Sequence, residues 1–188
     1  MKGAPSGTLG EQRDAFRQRR FLAMPLAGAF AWILIGVSGA ALPMSAAVWA
    51  LFILSGSIVY LGIFISRFTG EDFLAKGRPK NTFDSLFFIG TLQALLVYSI
   101  AIPFFLQDPS SLPLTVGILT GLMWTPLSWM IQHWIGVFHA VSRTVLVLAC
   151  WYVFPLHRFV VIPAIIVVLY LVTILVLERR WRVLQKVD

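Results

Sequence analysis

Chemistry in this chain is confined to few residues, and the densest group lies between positions 132 and 143. Gln132, His133, His139 and Arg143 stand there in an otherwise apolar stretch. His139 and Arg143 are i, i+4, so a helix puts them on one face. An arginine so placed can hold a lipid phosphate or the anionic group of a substrate bidentately. Asp84, at the start of another apolar run, is the carboxylate expected to meet Arg143. Asp84, Gln132, His133, His139 and Arg143 therefore form the candidate polar pocket. Ionisable groups inside a bilayer are costly and mark functional sites by default. The plainer reading is that Arg143 is a topology charge, extending to the headgroups from a helix end.

Other chemistries lack the residues they need. His133 and His139 are six apart and face different ways on a continuous helix, and there is no HExxH or CxxC, so no metal is expected. Haem needs axial ligands opposed at one depth, which His133, His139 and His157 do not supply, so no cofactor is expected. Cys150 is the single cysteine and lies in an apolar run, where it reads as a small buried side chain. No GxSxG, Walker loop or aspartate cluster points to an enzyme. No Asp, Glu or Lys occupies the middle of an apolar run, although ion-coupled carriers usually use one there.

The elements that must position these residues are helices in a bilayer. Of 188 residues, 59% are hydrophobic and 12% charged, against about 25% charged in ordinary soluble domains. Six apolar runs cover about 21–42, 46–66, 84–106, 114–132, 137–154 and 159–178. Each suits one crossing of roughly 20 residues. The weakest boundary lies near His133, within nearly continuous apolar sequence from 114 to 154. Only helices and closed barrels satisfy their backbone in lipid, and runs this long without alternation are helical. The fold class is thus an all-α multi-pass bundle of six spans. The first run reads as a span and not a cleaved signal, because no small-residue cleavage site ends it.

Charge orders the topology. With both termini cytoplasmic, fourteen of the fifteen basic residues fall on one side and only Arg158 on the other, as the positive-inside bias requires. The net charge of +7 is thereby a membrane signal, and nucleic acid is not an expected partner.

Outside the spans, residues 1–20 form a basic leader and 179–188 a basic tail. Met1–Gly7 reads as disordered. Thr8 and Glu11 have capping-box spacing, so a short helix is expected to start there. Its Arg13, Arg17 and Arg20 would lie near Leu9 and Phe16, at the headgroups of anionic lipid. The plain alternative is a solvated leader. The loop from Arg67 to Phe83 alternates Glu71 and Asp72 with basic residues such as Lys76, and Phe73 and Leu74 are placed to dip into the interface. It is either an ordered functional loop or a solvated connector.

Spacing predicts the inward faces. These are Gly28, Trp32 and Gly39 in the first span, and Ser55, Gly62 and Ser66 in the second. In the third they are Asp84, Thr91 and Tyr98, and in the fourth Gly117, Gly121, Thr125, Ser128 and Gln132. The fifth presents His139, Arg143, Leu146 and Cys150, and the sixth Pro163 and Tyr170. Gly117 and Gly121 make a GxxxG, which serves internal packing or a homodimer. Pro126 lies mid-span and is expected to kink the fourth helix, with Thr125 and Ser128 satisfying the freed carbonyl.

The basic leader ending Arg19-Arg20, the segment Gly70-Glu71-Asp72-Phe73 with Lys76-Gly77-Arg78-Pro79, and Pro126-Leu127-Ser128-Trp129 resemble a family of small bacterial multi-pass membrane proteins without assigned activity. The resemblance implies a bacterial inner-membrane bundle and transfers no catalytic residue. The leading functional expectation is a transporter-like or channel-like bundle with a cytoplasm-facing polar pocket, in contact with membrane lipids and with its small-molecule substrate unspecified. A structural or interaction protein, dimeric through Gly117 and Gly121, comes second. A membrane enzyme acting on lipid comes third.

Overall fold

A computed structural model describes residues 7–75 and 81–186. Its helices are α1 (Leu9–Arg17), α2 (Ala23–Ala41), α3 (Met44–Ser66), α4 (Thr82–Leu96), α5 (Tyr98–Gln107), α6 (Leu112–Gly121), α7 (Trp124–Ile131), α8 (Ile135–Val153) and α9 (Arg158–Leu184). No strand occurs among the described residues. Six helical units are long and apolar enough to cross a bilayer: α2, α3, Thr82–Gln107, Pro109–Ile131, α8 and α9. The all-α six-span reading is therefore realised, with two of the spans built from two helices each.

Each interruption has a local cause. Pro43 separates α2 from α3, since it cannot donate to a continuing helix. The third span bends at Val97, ahead of Pro103 in α5, where the Ser99 hydroxyl donates to the Leu96 carbonyl at 2.7 Å. The fourth span breaks at 122–123, at the Leu122 carbonyl that Pro126, four residues on, leaves without its helical donor. Pro126 is then the third residue of α7, where a missing N–H costs nothing. The Leu122 carbonyl accepts instead from the Thr125 amide at 3.1 Å. The Ser128 hydroxyl, expected to serve that carbonyl, donates to the carbonyl of His133. Gln132 takes the left-handed conformation (φ 53°, ψ 47°) and ends α7, so the fourth and fifth spans do part beside His133. A Cβ on Gly136 would collide with the Trp124 backbone and with Ser128, so the close start of α8 requires glycine there.

The packing centre is formed by α2, α8 and α9, with α3 against α2, and α6 and α7 against α8. Trp32, Ile35, Leu51, Val116, Ile135, Val147, Ile162, Ile166 and Leu177 are buried there. Large apolar side chains such as Ile53, Tyr60, Leu92, Val145 and Leu175 remain exposed on the outside, as a lipid-facing surface requires. Most inward stripes hold, but Thr125, Gln132 and Leu146 face out, and Val147 is buried between Arg143 and Cys150.

The end of α1 and the end of α9 meet at one end of the bundle. The capping box forms, with the Thr8 amide donating to Glu11 Oε2 at 2.7 Å and the Glu11 amide donating to Thr8 Oγ1 at 3.3 Å. The resulting α1 packs on α4 and α7. Phe16 is buried beside Phe21 and Phe83, with ring centroids 4.9 and 6.0 Å away. Arg20 forms a two-pronged pair with Glu178 of α9, at 2.8 and 3.0 Å. α9 continues past the sixth apolar run to Leu184. Of Met1–Gly7, expected to be disordered, residues 1–6 lie outside the described residues, and the Gly7 carbonyl accepts from Gln12 Nε2 at 3.1 Å.

Candidate functional site

Arg143 is the ninth of nineteen residues in α8, about 12 Å along the helix from Ile135. Its depth is therefore mid-span, and it is not the end-of-helix topology charge it was grouped with. It has no exposed surface. Its Nε donates to the Gly117 carbonyl at 2.6 Å, Nη1 to the Tyr170 hydroxyl at 3.1 Å and Nη2 to Thr120 Oγ1 at 2.9 Å. The guanidinium also lies 5.3 Å from the Trp32 ring centre and 5.5 Å from that of Tyr170. Four helices thus meet on one cation. A Cβ on Gly121 would sit 2.8 Å from Arg143 Cδ, so glycine is what lets the side chain pass α6.

Every partner of this cation is neutral. The carboxylates of Asp14, Asp84, Asp108 and Glu178 pair with Arg17, Arg19, Arg158 and the pair Arg20 and Arg182. Among the described residues, none pairs with Arg143. The end of α6 at Gly121 supplies some compensation, because a helix C-terminus carries partial negative charge.

His139 lies one turn away on the same face, also without exposed surface. Its ring stacks on Trp124 with centroids 4.5 Å apart and meets Tyr170 at 4.9 Å. Nδ1 is 2.8 Å from Thr173 Oγ1, and that hydroxyl donates its one hydrogen to the Leu169 carbonyl at 2.8 Å. Thr173 must then accept, which puts the imidazole proton on Nδ1 and leaves the Nε2 lone pair free. His139 Nε2 is buried without a partner, and so is Trp32 Nε1–H. The centre therefore combines a cation, an unused acceptor and an unused donor.

The expected pocket is not assembled from its five residues. Asp84, in the first turn of α4, gives both carboxylate oxygens to Arg19, with Oδ2 accepting from Nη2 at 3.0 Å. It ties the segment after α1 to α4 and does not meet Arg143. Gln132 is spent on the left-handed cap, and its side chain is exposed. His133 Nδ1 accepts from the Ile135 amide at 3.3 Å. Gln132 and His133 instead line a surface cavity of about 470 Å³ with Arg17, Ile131, Val176, Arg179, Arg180, Val183 and Leu184. The turn at 132–134 resets helical phase, which separates these two residues from His139 and Arg143.

Gly117 and Gly121 are buried against the chain's own Ile166, Val147 and Arg143, so the GxxxG face is used internally. Glu71 is buried, and its Oε1 accepts from the amides of Leu22 and Ala23, both at 2.8 Å. Burial pushes its carboxyl pKa up, opposed by those two bonds and by Arg20. Asp72 turns at φ 27° and its amide donates to the Ser66 carbonyl at 2.8 Å. Phe73 packs 6.1 Å from Phe87, while Leu74 is exposed. Lys76 lies outside the described residues. No group of three His, Cys, Asp or Glu is gathered for a metal among the described residues.

Thr120 and Thr173 are the residues at the centre that were not singled out from the sequence. Helical spacing on α9 offered a signal, since Ile166, Tyr170, Thr173 and Leu177 form one buried face. Residues 11–180 match the model of a protein family described as a family of unknown function, DUF7010. Neither a curated protein nor a solved structure matches the chain.

Proposed function

The chain belongs to the DUF7010 family, and because that membership carries no activity, we propose from the site itself that it is a transporter-like membrane protein that binds a small anion at Arg143. One observation carries this reading: a fully buried, mid-span guanidinium whose partners are all neutral. A charge in that position is expensive without a counter-ion. An anionic ligand supplies one, and a hydroxyl or N–H on the ligand would use the free Nε2 of His139.

The broken fourth span supports the same reading. Discontinuous helices recur where transporters hold ions, with helix ends aimed at the bound charge. Here the N-terminal end of α7, the end of favourable sign for an anion, lies beside the centre with its first residue Trp124 stacked on His139, while the C-terminal end of α6 meets Arg143 itself. The 122–123 break is the natural hinge. We place the end where α1 and the end of α9 meet on the cytoplasmic side, from their basic residues.

The competing reading is that Arg143 is only a staple, since each of its three nitrogens already has an acceptor. Thermal unfolding of the full chain in nanodiscs separates the two. Millimolar carboxylates, hydroxycarboxylates and phosphate monoesters are added in turn. The expected result is that one class raises Tm, as about 2.7 kcal/mol of linkage at a hundredfold excess over Kd requires, and that Arg143→Lys abolishes the shift. No shift with any anion in the unaltered protein sinks the proposal in favour of the staple.

A further inference from the structure

A second cationic site lies at the end of the bundle where α1 meets the end of α9. Three arginines, Arg17, Arg179 and Arg180, line one cavity of about 470 Å³ together with His133, and among the described residues no carboxylate lines it. Among the described residues Arg180 meets only backbone carbonyls: those of Arg17, of Arg19 at 3.4 Å and of Ile131 at 3.4 Å. These bonds aim the guanidinium and leave its charge uncompensated. Glu178, two residues before Arg180, is spent on Arg20 and Arg182, at 2.8 and 2.9 Å. Asp14 reaches Arg17 only at 3.5 Å, with both side chains largely exposed.

We infer that this cavity holds the phosphate headgroup of an acidic phospholipid. Its charge asks for an anion, and its remaining wall decides which source. Val176 and Leu184 are apolar and belong to the last turns of α9. A free phosphate has no use for such a wall, whereas a lipid acyl chain does. The 27-residue α9 extends for about 40 Å, beyond a hydrocarbon core of about 30 Å. Its cationic end therefore belongs at headgroup depth, where clustered basic side chains attract acidic lipid. The lining comes from α1, the α7–α8 turn and α9, so a headgroup here clamps α1 and α9 together.

The test uses the full-length protein in neutral detergent, with Tm and intact-complex mass spectrometry as readouts. Added dioleoyl phosphatidylglycerol is expected to raise Tm by several degrees and to remain bound, while phosphatidylcholine does neither. Arg179→Gln, which removes a side chain with no hydrogen bond among the described residues, is expected to weaken retention about tenfold and to leave the lipid-free Tm unchanged. His133→Asn serves as a second variant that keeps an acceptor for the Ile135 amide. Equal effects of the two lipids overturn the inference, as does undiminished retention in both variants. Protection by 10 mM inorganic phosphate equal to that by phosphatidylglycerol overturns the lipid assignment. Arg143→Lys is expected to leave lipid retention intact, so this outcome is independent of the proposed anion site.

Discussion

The carboxylate Oε1 of Glu71 lies 2.8 Å from the amide nitrogen of Ala23, across 48 residues of sequence. It also takes the Leu22 amide, and thereby caps α2, whose own N-cap residue, Leu22, has no side-chain acceptor. A loop residue thus does what Ser, Thr, Asp or Asn usually does locally. The same bonds fold the loop back on the bundle end.

Glu71 makes stability depend on pH. Burial raises its carboxyl pKa, so the folded state favours the protonated form. Its contribution is full below the ordinary carboxylate value and is lost as pH rises through the raised one. Glu71→Gln keeps an oxygen acceptor without the charge. It is expected to raise Tm at pH 7 and to match the unaltered protein near pH 4. Glu71→Ala leaves two amides unpaired and is expected to cost about 1–3 kcal/mol at both. Thermal unfolding across pH 4–8 reads the difference.

The Arg143 centre is expected to be intolerant of small changes. Gly121→Ala places a methyl 2.8 Å from Arg143 Cδ and should cost about 1–3 kcal/mol by overpacking. Tyr170→Phe removes the acceptor of Nη1 and should cost a similar amount by leaving a buried donor unmet. Chemical denaturation in mixed micelles measures both, and a neutral Tyr170→Phe would show that Nη1 finds another acceptor.

Asp84 and Arg19 should behave as one unit. Their two-pronged pair is about a quarter to a third exposed, so a double-mutant cycle with Asp84→Asn and Arg19→Gln is expected to give a coupling of about 1 kcal/mol. The corresponding cycle between Asp84→Asn and Arg143→Gln should give none. Coupling there would restore the pairing that the structure rejects.

His133 has a pKa lowered first by burial and then by Arg180. Its protonation is therefore disfavoured in the folded state. The resulting penalty is absent well above 6.5, the ordinary value, and grows as pH falls through it toward the lowered value. His133→Asn is expected to flatten the loss of Tm between pH 7 and pH 5 in lipid-free protein. Bound phosphatidylglycerol should flatten it too, because an anion offsets the Arg180 charge.

The sequence by itself determined the six crossings, the Thr8–Glu11 cap and the parting near His133. All three are properties of contiguous residues: the length of an apolar run, a three-residue spacing, and a polar interruption in a stretch too long for one span. Most inward stripes were legible for the same reason, since 3.6-residue periodicity is local. The partners of the charged groups were decided only by tertiary structure. Arg143 could be assigned to a face but not to a depth, because its depth follows from where α8 starts after the left-handed turn at Gln132. Its acceptors, Gly117, Thr120 and Tyr170, lie 23 to 27 residues away, and Asp84 meets Arg19 from 65 residues away. In a low-dielectric interior each polar group binds whatever the packed helices bring within 3 Å or so, and no local pattern encodes which helices those are.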